Sequence, residues 1–103
     1  MKYFNTILAL TMISVVPSLV QGAVAYSGEK LAKTAKITME QATDIALKAR
    51  PGKITDKELE REKGGSGLRY TFNVLSKALT YEVGVDAQTG MVLENAREGA
   101  HPD

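Results

Sequence analysis

Residues 68–86, "LRYTFNVLSKALTYEVGVD", decide the fold. Leu68, Tyr70, Phe72 and Val74 alternate with Arg69, Thr71 and Asn73, and side chains of an extended chain point to opposite faces in turn. Tyr81, Val83 and Val85 repeat the pattern against Glu82 and Gly84. The join "SKAL", residues 76–79, is short enough for a hairpin. Two antiparallel strands follow, with one apolar face that needs a cover and one polar face expected to meet water.

Working toward the C-terminus, "DAQTG", residues 86–90, separates Val85 from a new apolar run at Met91. Asp accepts from backbone amides one or two residues on, and Gly takes a positive φ without steric cost, so the stretch reads as a hairpin loop before a short strand, "MVLEN". A catalytic Asp86 would need a second carboxylate sharing its proton, as in a paired-aspartate protease. Metal capture would need several converging oxygens, and near Asp86 only Thr89 and backbone carbonyls are close in sequence. Asp86 is expected to be a corner. The tail, residues 97–103, is polar and expected to fray; it holds His101, the one histidine, too near the terminus to be held as a catalytic base.

Working toward the N-terminus, "ITMEQATDIALKARPG", residues 37–52, is a helix with both ends marked. Thr38 and Gln41 have capping-box spacing, and Ile37 with Ala42 could staple the entry. Met39, Ala42, Ile45, Ala46 and Ala49 form one apolar stripe, small enough to lie close on a sheet. Pro51-Gly52 stops the helix. Next, "KITDKELERE" places Ile54 and Leu59 at opposite parity, which a bulge between Thr55 and Glu58 would reconcile. "KGGSG", residues 63–67, is expected to be a flexible turn; it lacks the Lys-Ser or Lys-Thr of a phosphate loop.

Residues 1–25 read as a secretory signal peptide: Lys2, an uncharged apolar stretch from Phe4 to Val20, and Ala23-Val24-Ala25 as a cleavage pattern. Cleavage is expected after Ala25, with Gly22 as the second choice; the apolar stretch is short and interrupted for an anchor, which needs roughly 20 apolar residues. Residues 26–36 are polar and Lys-rich and read as a flexible leader, with too few cations for a lipid tether. Residues 37–96 form the domain.

The chain has 103 residues, and removal of the signal would leave about 78, one small domain. The mature domain carries twelve cations and twelve anions, so it lacks the field that draws nucleic acid or an anionic membrane. With no cysteine there is no disulfide, thiolate metal site or Cys nucleophile. No cofactor or metal is expected, nothing assembles a nucleophile, a base and an oxyanion site, and the chain reads as a non-enzyme. The expected class is α+β, one N-terminal helix on one face of a three- to four-stranded antiparallel sheet.

The ordered set of an Ala-rich capped helix ending in Pro51-Gly52, the Tyr70 strand, and Val85-Asp86-Ala87-Gln88-Thr89-Gly90 resembles a PepSY domain over residues 37–95. The resemblance implies a module found in propeptides of thermolysin-like secreted proteases and in free-standing exported proteins, associated with inhibiting the protease and assisting its folding. It implies structural roles for Thr38, Gln41, Pro51, Gly52, Tyr70, Asp86, Thr89 and Gly90, and no catalytic residue. No protease follows in this sequence, so a peptidase partner is expected in trans. The expected function is an exported (periplasmic or extracellular) interaction module that binds and regulates or inhibits a peptidase, through the polar sheet face with Arg69, Thr71, Asn73 and Glu82, or through a free sheet edge. The alternative is a small-ligand or ion sensor using the gap between helix and sheet.

Overall fold

The computed structural model describes residues 25–99. The expected signal segment up to Val24, and the tail from Ala100 with His101, lie outside them. A short 3-10 helix (Glu29–Thr34) precedes helix α1 (Met39–Ala49) and four strands: β1 (Lys53–Arg61), β2 (Leu68–Ser76), β3 (Leu79–Asp86) and β4 (Val92–Arg97). The strands form one antiparallel sheet in the order β1-β2-β3-β4, and α1 packs on one face of it, giving the expected α+β architecture.

The helix is made by its ends. The Gln41 backbone N–H donates to Thr38 Oγ1 at 3.1 Å while the Thr38 N–H donates to Gln41 Oε1 at 2.9 Å, a complete capping box. Arg50 closes the last turn through its N–H to Ala46 O, then turns extended because a residue before proline is pushed out of the helical region. Gly52 passes β2 so closely that a Cβ would sit 2.4 Å from Leu75 O, so only glycine fits there. Ala42 and Ala46 are fully buried, and with Met39 they meet Tyr70, Phe72, Val74, Val83 and Val85 on the sheet. Their small size brings the helix backbone near the strands.

In β1 the register passes from Ile54↔Val74 to Asp56↔Asn73, leaving Thr55 as the extra residue. The bulge sits at the first position of its expected window. It turns Ile54 and Leu59 to the same apolar side, where Leu59 is buried and Ile54 packs at the margin. A second irregularity, between Gly84 and Val85, leaves Leu93 of β4 outside the pairing.

Two boundaries differ from expectation. The segment read as a flexible leader is built into the fold: Ser27 bridges Glu58 in parallel, the Leu59 N–H donates to Ser27 O at 2.9 Å, and Tyr26, Leu31, Ala32 and Ala35 pack against the core. Helix α1 leans toward β2, β3 and β4, so the apolar side of β1 needs another cover, and the 3-10 helix supplies it. The sheet also runs past the expected limit at residue 96, with Arg97 opposite Tyr81 and the Glu98 N–H donating to Thr80 O.

Candidate functional site

Asp86 ends β3 as a corner and is 1 % exposed. Oδ1 accepts from the Gln88 and Thr89 N–H groups at 2.8 and 3.1 Å and from Ser66 Oγ at 2.9 Å, and Oδ2 accepts from the Ser66 N–H at 2.6 Å. Burial pushes this carboxyl up, but the four donors outweigh burial and hold it down at about 2. The residue therefore carries a buried charge that fastens two loops, its own and "GGSG". That second loop, expected to be a flexible turn, is clamped: a Cβ on Gly65 would lie 2.2 Å from Asp86 Oδ2. Gly90, at φ 81°, closes the corner with its N–H on Asp86 O, and the Thr89 hydroxyl accepts from the Met91 N–H at 3.2 Å.

The same corner positions the start of the helix. Ala87 O accepts from the Lys36 and Ile37 N–H groups, and Gln88 bridges to the Lys36 N–H and Thr34 O. Tyr70, buried beneath, donates its hydroxyl to Ile37 O, and burial pushes that phenol up to about 12, with Tyr26 and Glu40 adding to it. At the other end Arg50 lies 3.7 Å over the Tyr81 ring and donates to Asn95 Oδ1, while the Asn95 amide donates to Ala49 O. Thr38, Gln41, Pro51 and Gly52 mark helix ends.

The face of the sheet opposite the helix carries Asp56, Glu58 and Glu60 of β1, Glu82 of β3, and Glu94 of β4, with Glu62 and Glu98 just beyond strand ends. Arg69 is its one central cation. The structure corrects the expectation that Arg69 and Thr71 face water: they are only 7 % and 6 % exposed. Arg69 Nη1 reaches Glu62 and Glu94 at 3.5 Å each, Nη2 donates to Lys63 O at 3.0 Å, and Nε finds no acceptor among the described residues. Thr71 donates to Glu60 Oε2 at 3.1 Å. Arg69 lies flat because Gly84 leaves room; a Cβ there would come within 2.9 Å of its Cδ. Asn73 and Glu82 remain half-exposed. Burial first, then the carboxylates of Glu94, Glu62, Glu98 and Glu60, push Glu82 above its ordinary value. Glu62 is also raised, chiefly by its hydrogen bond with Glu60. A glycine inside a polar-faced strand was the signal in the sequence for the flat Arg69.

A third feature lies beside α1. A groove of about 520 Å³ runs between the first half of α1, the 3-10 segment and β1. Ala32, Ala35, Ile37 and Met39 give it an apolar floor with Tyr26 and Tyr70, and Glu40, Asp44 and Lys57 stand at its rim. A second hollow of about 490 Å³ continues it along β1 past Thr43 to Ile54 and Asp56. Among the described residues no group of three His, Cys, Asp or Glu side chains is placed to hold a metal ion.

Residues 36–95 match the PepSY family, described as peptidase propeptide and YPEB domain. No curated protein and no solved structure matches the chain. The matched span starts just ahead of the helix cap, contains the Tyr70 strand and the Asp86 corner, and stops two residues short of the end of β4. With the helix, the corner and all but the last two residues of the sheet inside that span, the chain belongs to the PepSY family.

Proposed function

We propose that this protein is an exported, non-catalytic module that binds a peptidase and regulates or inhibits it. The observation that carries the reading is the family match, which takes in helix α1 and most of the sheet and relates them to peptidase propeptides. Two further features support it. The outer edge of β4 has no partner strand among the described residues, and on β1 only Ser27 pairs with the outer edge. Asp86, the most perturbed carboxylate, is consumed by four hydrogen bonds and is unable to serve as a base. Of the four residues expected to touch a partner, Asn73 and Glu82 are accessible, whereas Arg69 and Thr71 act beneath them by holding the surrounding carboxylates in place.

The chain titrated into a panel of secreted and envelope peptidases is expected to lower the activity of at least one, with co-purification of that enzyme. Unchanged rates throughout the panel, with no enzyme retained, would remove the proposal. The groove against α1 favours a second reading, a small-ligand sensor. A rise in unfolding temperature with a metabolite, and none with a peptidase, would select it.

A further inference from the structure

The groove beside β1 has a backbone edge along one wall. The Leu59 N–H points outward to Ser27 O, and in an antiparallel pair outward-facing residues recur every second position, so the Lys57 backbone groups face the same edge. The chain itself shows what this edge accepts, since Ser27 lies on it extended and parallel to β1. Beyond Ser27 toward Thr55, the edge borders the two hollows, which share Tyr26, Thr43 and Lys57. The apolar floor lies next to the backbone row, and the rim is acidic on balance, with exposed Glu40 and Asp44 against Lys57.

We infer that the groove between α1 and β1 is a seat for an extended, cationic polypeptide segment that adds to the β1 edge and drops one apolar side chain among Tyr26, Ile37 and Met39. The backbone of the segment pairs with Thr55–Lys57, continuing the line begun by Ser27. Its alternate side chains face the groove, and cations on either side of the apolar one meet Glu40 and Asp44, which lie one helical turn apart. This rests on the reading that the module binds a polypeptide and names the edge and the chemistry it uses.

The probe is a capped nonapeptide alternating threonine and lysine around a central leucine, titrated into the isotopically labelled full chain and followed by amide chemical shifts. Saturable shifts at Thr55–Lys57 and at Ile37–Asp44 are expected. Methylating alternate backbone nitrogens of the peptide should abolish them, and replacing its leucine with aspartate should weaken binding by about tenfold or more. Glu40→Lys with Asp44→Lys should weaken the cationic peptide and strengthen its glutamate counterpart, a swap that simple loss of folding does not produce. Shifts confined to β4 or to the acidic face, undiminished binding of the methylated peptide, or no saturation at millimolar peptide would overturn the inference. A peptidase inhibited by the chain but leaving these amides unshifted would also overturn it, while sparing the proposed function. The peptide seated as described, with no peptidase inhibited, would support the seat and count against that function.

Discussion

Asp86 answers as a single residue the question its position raises. A carboxylate near a glycine at the end of an apolar strand could be a reacting group or a corner, and here all its accepting capacity faces inward. Ser66, Gln88 and Thr89 supply the donors, so ionised Asp86 is favoured in the folded chain over the unfolded one. The depression from 3.8 to about 2 corresponds to about 2 kcal/mol of stability. Because the folded value is the lower one, that stability is present above about pH 4 and disappears as the pH falls through about 2. Asp86→Asn is expected to lose about 2 kcal/mol at neutral pH, measured by denaturant unfolding, and to lose little more on acidification. An acid limb unchanged in the variant would show that another group carries it. The local half of this corner was legible in the sequence, since Gln88 and Thr89 are its immediate neighbours. Ser66 was not, because it comes from a loop 20 residues earlier that strand pairing alone brings alongside.

At the scale of elements, legibility follows the distance over which an interaction is decided. Helix α1 was legible down to its cap because Thr38 and Gln41 bond within one turn. The alternation in β2 and β3 put every side chain on its correct face, since that depends on backbone geometry alone. What covers a face depends on strands far away, so the burial of Arg69 beneath Glu62 and Glu94 was hidden. The 3-10 helix was missed for the same reason: Leu31 and Ala32 have a use only once β1 lies uncovered by α1. The β2–β3 hairpin turns on Lys77 and Ala78, both at positive φ, 52° and 69°. A two-residue turn of this kind matches the twist of the strands but favours Asn and Gly. An ordinary residue held there costs about 1–2 kcal/mol. Lys77→Asn with Ala78→Gly is therefore expected to raise stability by about 1 kcal/mol, after the extra freedom of Gly in the unfolded chain is deducted. Ala78→Val, β-branched at positive φ, should lower the unfolding midpoint. The opposite order in thermal unfolding would reject the turn assignment.

Across the whole molecule, charge is sorted by face although the total is nearly balanced. The outer face of the sheet gathers carboxylates around one buried guanidinium, and most lysines lie elsewhere. Such crowding sets a pH dependence opposite to that of Asp86. Glu82 and Glu62 are raised above 4.5 in the folded chain, so the fold binds their protons more tightly than the unfolded chain does. Stability from these groups is fully present below about pH 4 and is lost as the pH rises through their folded values. Asp86 penalises acid while the glutamates penalise alkali, so the optimum is expected between the two windows, in the mildly acidic range rather than at neutrality. Unfolding midpoints measured from acid to neutral pH should pass through that maximum. Glu82→Gln should raise the midpoint at neutral pH and make no difference below the carboxylate range, flattening only the upper limb. Added salt should act in the same direction as Glu82→Gln, because it screens repulsion among exposed charges while leaving the buried Asp86 bonds largely intact. A profile still rising to neutral pH, insensitive to Glu82→Gln and to salt, would mean that the acidic face costs the fold nothing. Its carboxylates would then be ordinary solvated groups held apart by the sheet rather than a crowd pressed together around Arg69.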